Sequence, residues 1–171
     1  SYDEGMSDIK LKDLYNWCKI PVEKLVGHPG LKIPFRLVSD SAEMGQVMAR
    51  DFVNEIQKAN AEQRALRAIV PCGPKSWYAP FSRIVNEEKV SLRNLVVFHM
   101  DECLNWQGRP LAKNDPYNFR TFMEKYFYGD ILPSLAVPAE NRWFPTPESI
   151  EEIKEKHDGK FVIEIPDINQ Q

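Results

Sequence analysis

The chain has 171 residues and a mass of 19.8 kDa, enough for one compact domain and at most a small appendage. Apolar residues make up 43% and charged residues 27%, so a real core can form, and collagen, coiled-coil and low-complexity classes are excluded. Twenty-two basic against 25 acidic side chains leave a net charge of −3, which offers no broad electrostatic footprint for nucleic acid or an anionic membrane.

From Ser7 to Ile20, Ile9, Leu11, Leu14, Tyr15 and Cys18 fall near helical spacing. Ser7 is placed to cap this helix, and Pro21 stops it. Phe35-Arg36-Leu37-Val38 reads as a short strand. Asp40 with Glu43 three residues on resembles a capping box. Behind it Met44, Val47, Met48, Phe52, Val53 and Ile56 predict an amphipathic helix to about Asn60.

A second strand, Leu66 to Val70, is closed by Pro71-Cys72-Gly73-Pro74, and a helix is expected from Ser76 to Val85. Leu95-Val96-Val97-Phe98 is the most strongly β-forming run and is apolar on both faces, as a central parallel strand should be. It runs into His99-Met100-Asp101-Glu102. A polar loop, Asn105 to Pro116, precedes a helix from about Asn118 to Phe127. Leu132 to Pro147 is a turn-rich connector, Ser149 to Lys156 a short charged helix, and Phe161 to Ile165 a last strand.

Helices alternating with strands predict an α/β fold: an open, mostly parallel sheet with helices on both faces. Residues 1–34 read as an amino-terminal helical extension and 35–171 as the α/β domain. Ligands of such sheets sit beyond the carboxyl ends of the strands, so Pro71 to Ser76 and His99 to Cys103 are the loops to interrogate. No apolar run approaches the roughly 20 residues of a membrane span, and the start lacks a signal-peptide pattern, which predicts a soluble, cytoplasmic protein with neither membrane nor nucleic acid as partner. Cys18, Cys72 and Cys103 have no paired spacing, as expected of free thiols in a reducing compartment.

Pro71 to Ser76 is a tight strand-to-helix turn, a geometry that aims backbone N–H groups at an anion such as phosphate, and Lys75 adds a full charge. Its spacing matches neither the dinucleotide-binding nor the P-loop signature. A turn that uses glycine and proline only to reverse direction is the plain alternative. Asp101 and Glu102 follow a buried strand, where partial burial can make a general base; two solvated loop acids are the alternative. His99, between Phe98 and Met100, reads as a hydrogen-bonded core or rim histidine rather than a ligand. Cys72, His99 and Cys103 could converge at adjacent strand ends, but they lack paired metal-ligand spacing, which argues against a zinc site.

Four of these segments, in order, resemble the glucosamine-6-phosphate deaminase/isomerase family, which shares its sugar-phosphate isomerase fold with 6-phosphogluconolactonase. They are Val70-Pro71-Cys72-Gly73-Pro74-Lys75-Ser76, Val96-Val97-Phe98-His99-Met100-Asp101-Glu102, Asn118-Phe119-Arg120-Thr121-Phe122-Met123 and Val137-Pro138-Ala139-Glu140-Asn141. The resemblance spans roughly Leu37 to Pro145. It implies a modified Rossmann-like fold, a phosphorylated amino sugar as ligand, no cofactor, and a homo-oligomer. It places Cys72, Gly73, Lys75 and Ser76 on the phosphate-binding turn. Asp101 falls on the carboxylate that moves a proton between C1 and C2 of the ring-opened sugar, with Glu102 as its acidic neighbour. Cys103 stands where the lactonase branch carries arginine, which favours the deaminase branch. Pro74 and Lys75 depart from the family's glycine and hydroxyl residue, and its later Asp-Gly-His and Asn-Glu-Pro segments have no counterpart here. The expectation is therefore an incomplete, amino-terminal part of such an enzyme, or a non-catalytic sugar-phosphate-binding domain.

Overall fold

The computed structural model describes residues 9–146. The chain divides into two compact units, Ser1–Ser39 and Asp40–Gln171. In the first unit, helix α1 spans Leu11–Cys18 and a single 3-10 turn follows at Val22–Lys24. The helix is shorter than its pattern suggests; Ser7 lies outside the described residues, and Lys10 at the observed start makes no side-chain cap. None of its residues is buried.

Phe35 to Val38 forms no strand. A strand exists only by pairing, and this segment has no ladder partner among the described residues.

The second unit opens with helix α2, Ser41–Ala61, and its start matches the capping pattern: the Asp40 carboxylate accepts from the Glu43 backbone N–H at 2.8 Å. The buried positions Gly45, Ala49, Val53, Ile56 and Ala59 recur every three or four residues, so one stripe of α2 faces the core. Strand β1, Leu66–Val70, leads through the Pro71–Ser76 turn and a 3-10 turn, Lys75–Trp77, into helix α3, Tyr78–Glu87. Strand β2 is Leu95–His99. Helix α4, Phe119–Met123, runs directly into a π turn, Glu124–Tyr128. Strand β3 is Arg142–Trp143.

The sheet has the order β1-β2-β3 and is parallel throughout, with Val70 paired to His99 and Phe98 to Trp143. The expected central strand is indeed central. β3 was hidden inside the proline-rich connector because two residues are too few to show a period of two. Along β1 and β2, Leu66, Ala68, Val70, Leu95, Val97 and His99 alternate onto one face and meet Val53, Ile56, Phe81, Val85 and Phe127 from the helices. Burying each large side chain there contributes about 1.5–3 kcal/mol. Phe81 and Phe127 stack at 5.3 Å, and Trp77 meets Tyr78, Phe81 and Phe127 at 5.2–5.6 Å, locking α3 to the π turn.

The opposite face carries Ile69, 72% exposed. Within the second unit the core packs against the face that carries Leu66, Ala68, Val70, Leu95, Val97 and His99. The helix read at Ser149 to Lys156 and the strand at Phe161 to Ile165 lie outside the described residues. The arrangement is nonetheless the open parallel α/β sheet that the sequence implies, with the ends of β1 and β2 at one rim.

Candidate functional site

Two residues beyond the last paired positions, β1 reaches Cys72 and β2 reaches Asp101. The turn after β1 is held from three sides. Gly73 has φ +111°, a conformation that favours glycine, and its peptide bond to Pro74 is cis. The Gly73 N–H donates to the Tyr78 hydroxyl, which in turn donates to the Pro71 carbonyl at 3.2 Å. Gly45 of α2 lies flat against the turn: a Cβ there would meet the Ser76 carbonyl oxygen at 2.2 Å.

This geometry divides the turn's groups. The Gly73 amide is already committed to Tyr78. The Ser76 hydroxyl is buried without a hydrogen-bond partner among the described residues. The Lys75 ammonium lies over the ring of Tyr126, 3.6 Å from its centre. Burial pushes the Cys72 thiol up to about 11, with the charges of Asp101 and Glu102 adding to the shift. Cys72 is therefore a protonated thiol at neutral pH and a poor nucleophile.

Asp101 and Glu102 are adjacent in sequence and opposite in circumstance. Asp101 is exposed, and no hydrogen bond or ion pair engages its carboxylate among the described residues. It lies close enough to Cys72 and Tyr78 for its charge to help hold both protonated. Glu102 is spent on backbone: its carboxylate accepts from the N–H groups of Cys103 at 2.9 Å, Phe119 at 2.7 Å and Arg120 at 2.9 Å. It thereby caps the first turn of α4, assisted by Asn118, whose side chain accepts from Thr121 N–H at 2.8 Å. The Asn118 amide also donates to Leu111 and Ala112, so the long loop before α4 is tied at its end.

His99 ends β2 and is buried. Its Nε2 lies 2.8 Å from the Tyr128 hydroxyl, its ring stacks on Phe144 at 4.1 Å, and it is 6% exposed. Burial, with Arg142 and Arg120 nearby, lowers its pKa to about 4. It is the neutral core histidine that its apolar flanks imply. No group of three His, Cys, Asp or Glu side chains converges as a metal site among the described residues. No described helix is long and apolar enough to cross a membrane.

The structure thus brings Cys72, Gly73, Lys75, Ser76 and Asp101 to one rim, with Glu102 beside them as a cap. Sequence reasoning missed Tyr78, which latches the turn, and Tyr126, which receives Lys75. A lysine inside the turn and the aromatic run Phe119, Phe122, Tyr126, Phe127 and Tyr128 are the available signals; the contact of Lys75 with Tyr126 is visible only in three dimensions.

Comparison with known proteins agrees with this class of fold. No family model matches the chain. It is 29% identical over 97 residues to the glucosamine-6-phosphate deaminase of Aliivibrio salmonicida (strain LFI1238), covering 55% of this chain and 35% of that enzyme. It superposes with a TM-score of 0.52 on a solved monomeric glucosamine-6-phosphate deaminase of the NagB superfamily, at 16% identity, covering 71% of this chain and 48% of that one. That likeness shows the fold, an open α/β sheet. The chain is similar in sequence to a glucosamine-6-phosphate deaminase, as the four motifs imply, and spans about a third to a half of the length of the relatives it matches.

Proposed function

We propose that the site binds a hexosamine 6-phosphate and that Asp101 moves a proton between C1 and C2 of the ring-opened sugar, the step that converts glucosamine 6-phosphate toward fructose 6-phosphate and ammonia. The observation that carries this reading is the division of the acidic pair. One carboxylate is consumed in holding α4, and the other is left open at the strand rim beside a strand-to-helix turn with a lysine. A base for a carbon acid must be close to its proton and free of competing donors, and Asp101 meets the second condition. Glu102 acts here as a positioning residue, fixing the segment that carries Asp101. The identity to a glucosamine-6-phosphate deaminase supports the choice of sugar.

The second reading, a sugar-phosphate-binding domain without catalysis, draws on His99. Among the described residues it is the histidine at the strand ends, and it is buried and bound to Tyr128. His99 is therefore engaged and does not serve as a second general acid beside Asp101. The two readings separate in deuterium oxide with glucosamine 6-phosphate: deuterium entering C1 or C2, lost in Asp101→Asn, supports proton transfer. Binding with no exchange and no ammonia supports the non-catalytic domain.

A further inference from the structure

The π turn Glu124–Tyr128 carries a second ammonium group that the turn after β1 does not account for. Lys125 Nζ lies 4.9 Å from the centre of the Tyr126 ring, the same ring over which Lys75 Nζ lies at 3.6 Å. Consecutive residues on a regular helix do not face one another, and the widened π turn is where these two meet. Neither lysine has a carboxylate within ion-pair distance among the described residues. Two ammonium groups thus lie against one aromatic ring without a carboxylate paired to either among the described residues. The ring's negative face attracts each by about 0.5–1 kcal/mol at an exposed site, while the two charges repel each other. Such an arrangement is short of negative charge.

We propose that Lys75 and Lys125, both set against Tyr126, form a two-ammonium clamp for the phosphate group of the ligand. This rests on the reading above that the ligand is a sugar phosphate, and adds Lys125 and Tyr126 to its binding groups. A phosphate monoester is a dianion near neutral pH, and two lysines match its charge. The clamp takes over the task that an amide-lined turn would perform, since the Gly73 N–H is engaged by Tyr78. Tyr126 acts as a positioning residue: it holds both lysine heads where a flexible side chain would otherwise wander, so less rotamer freedom is lost on binding.

The test is calorimetric titration of the 171-residue chain with glucosamine 6-phosphate, glucosamine and phenyl phosphate. Lys75→Met and Lys125→Met should each weaken the two phosphorylated ligands about tenfold and leave any affinity for glucosamine unchanged. Tyr126→Phe keeps a ring face and should bind like the parent, whereas Tyr126→Leu should lose affinity with the same ligand selectivity. Affinity of the parent should fall as salt rises. If the parent binds glucosamine 6-phosphate and Lys125→Met binds it equally well, the clamp is overturned and the sugar-phosphate reading stands. If phenyl phosphate binds through both lysines and glucosamine 6-phosphate does not, the clamp stands and the choice of sugar falls. If neither phosphorylated ligand binds, both are overturned.

Discussion

The carboxylate of Glu102 accepts the backbone N–H of Phe119 at 2.7 Å, joining the end of β2 to the start of α4 across 17 positions of sequence. The same carboxylate takes the N–H groups of Arg120 and Cys103, so a single side chain satisfies three amides. Removing it leaves those donors without their partner. Glu102→Ala should therefore destabilise the fold by about 1–2 kcal/mol, the scale of a lost cap. Asp101→Asn, at an exposed position without a bonded partner, should stay within about 0.5 kcal/mol of the parent. Urea unfolding of both variants measures this, and equal destabilisation would refute the division of labour between the two acids.

The contact between α2 and the turn after β1 is equally specific. A Cβ on Gly45 would meet the Ser76 carbonyl oxygen at 2.2 Å, a backbone atom that cannot rotate away. Gly45→Ala should destabilise by about 1–3 kcal/mol, although alanine is about 1 kcal/mol better than glycine inside a helix, because the turn or the helix must shift. The displacement falls on Ser76 and Lys75, so phosphate affinity should drop with stability. A variant that is more stable than the parent would show that α2 does not press on the turn.

The Tyr78 hydroxyl bridges Gly73 and Pro71 and fixes the turn from within. Tyr78→Phe keeps the ring contacts with Trp77 and Phe127 and removes only the oxygen. The cost should be about 0.5–1.5 kcal/mol of stability, the net worth of an ordinary hydrogen bond. The Gly73 amide should also exchange with solvent hydrogen faster, which hydrogen-exchange mass spectrometry resolves by segment. Unchanged exchange over residues 71–76 would assign the turn's rigidity to Gly73 and Pro74 alone.

What was legible in the sequence was local or strongly patterned. Asp40 and Glu43 announce the start of α2 because a cap needs only neighbours three residues apart. Leu95 to Phe98 announce a central strand because both faces are apolar. Phe35 to Val38 misled because strand formation depends on a distant partner that composition does not report. The difference between Asp101 and Glu102 was equally out of reach: it is set by where α4 begins, 17 residues downstream of Glu102. The ring of Tyr126 under Lys75 joins two segments about 50 residues apart, and only the packing of α3 against the π turn brings them together.

His99 gives the fold a defined acid limit. Its neutral imidazole is buried between Tyr128 and Phe144, and burial, with the positive charges of Arg142 and Arg120, lowers its pKa from 6.5 to about 4. The unfolded chain therefore takes up a proton near pH 6.5, whereas the folded chain resists until about pH 4. Between those values the unfolded state binds more protons, so stability is fully present above pH 6.5 and falls as the pH drops toward 4. The loss from this one group should reach up to about 3 kcal/mol, at 1.36 kcal/mol per pH unit. His99→Gln keeps a side chain able to bond the Tyr128 hydroxyl and removes the titration. Its unfolding free energy should thus change less steeply with pH between 6.5 and 4 than that of the parent, by up to one proton. Urea titrations at half-unit steps of pH give both slopes, and parallel curves would show that His99 is protonated as readily in the folded chain as in the unfolded one.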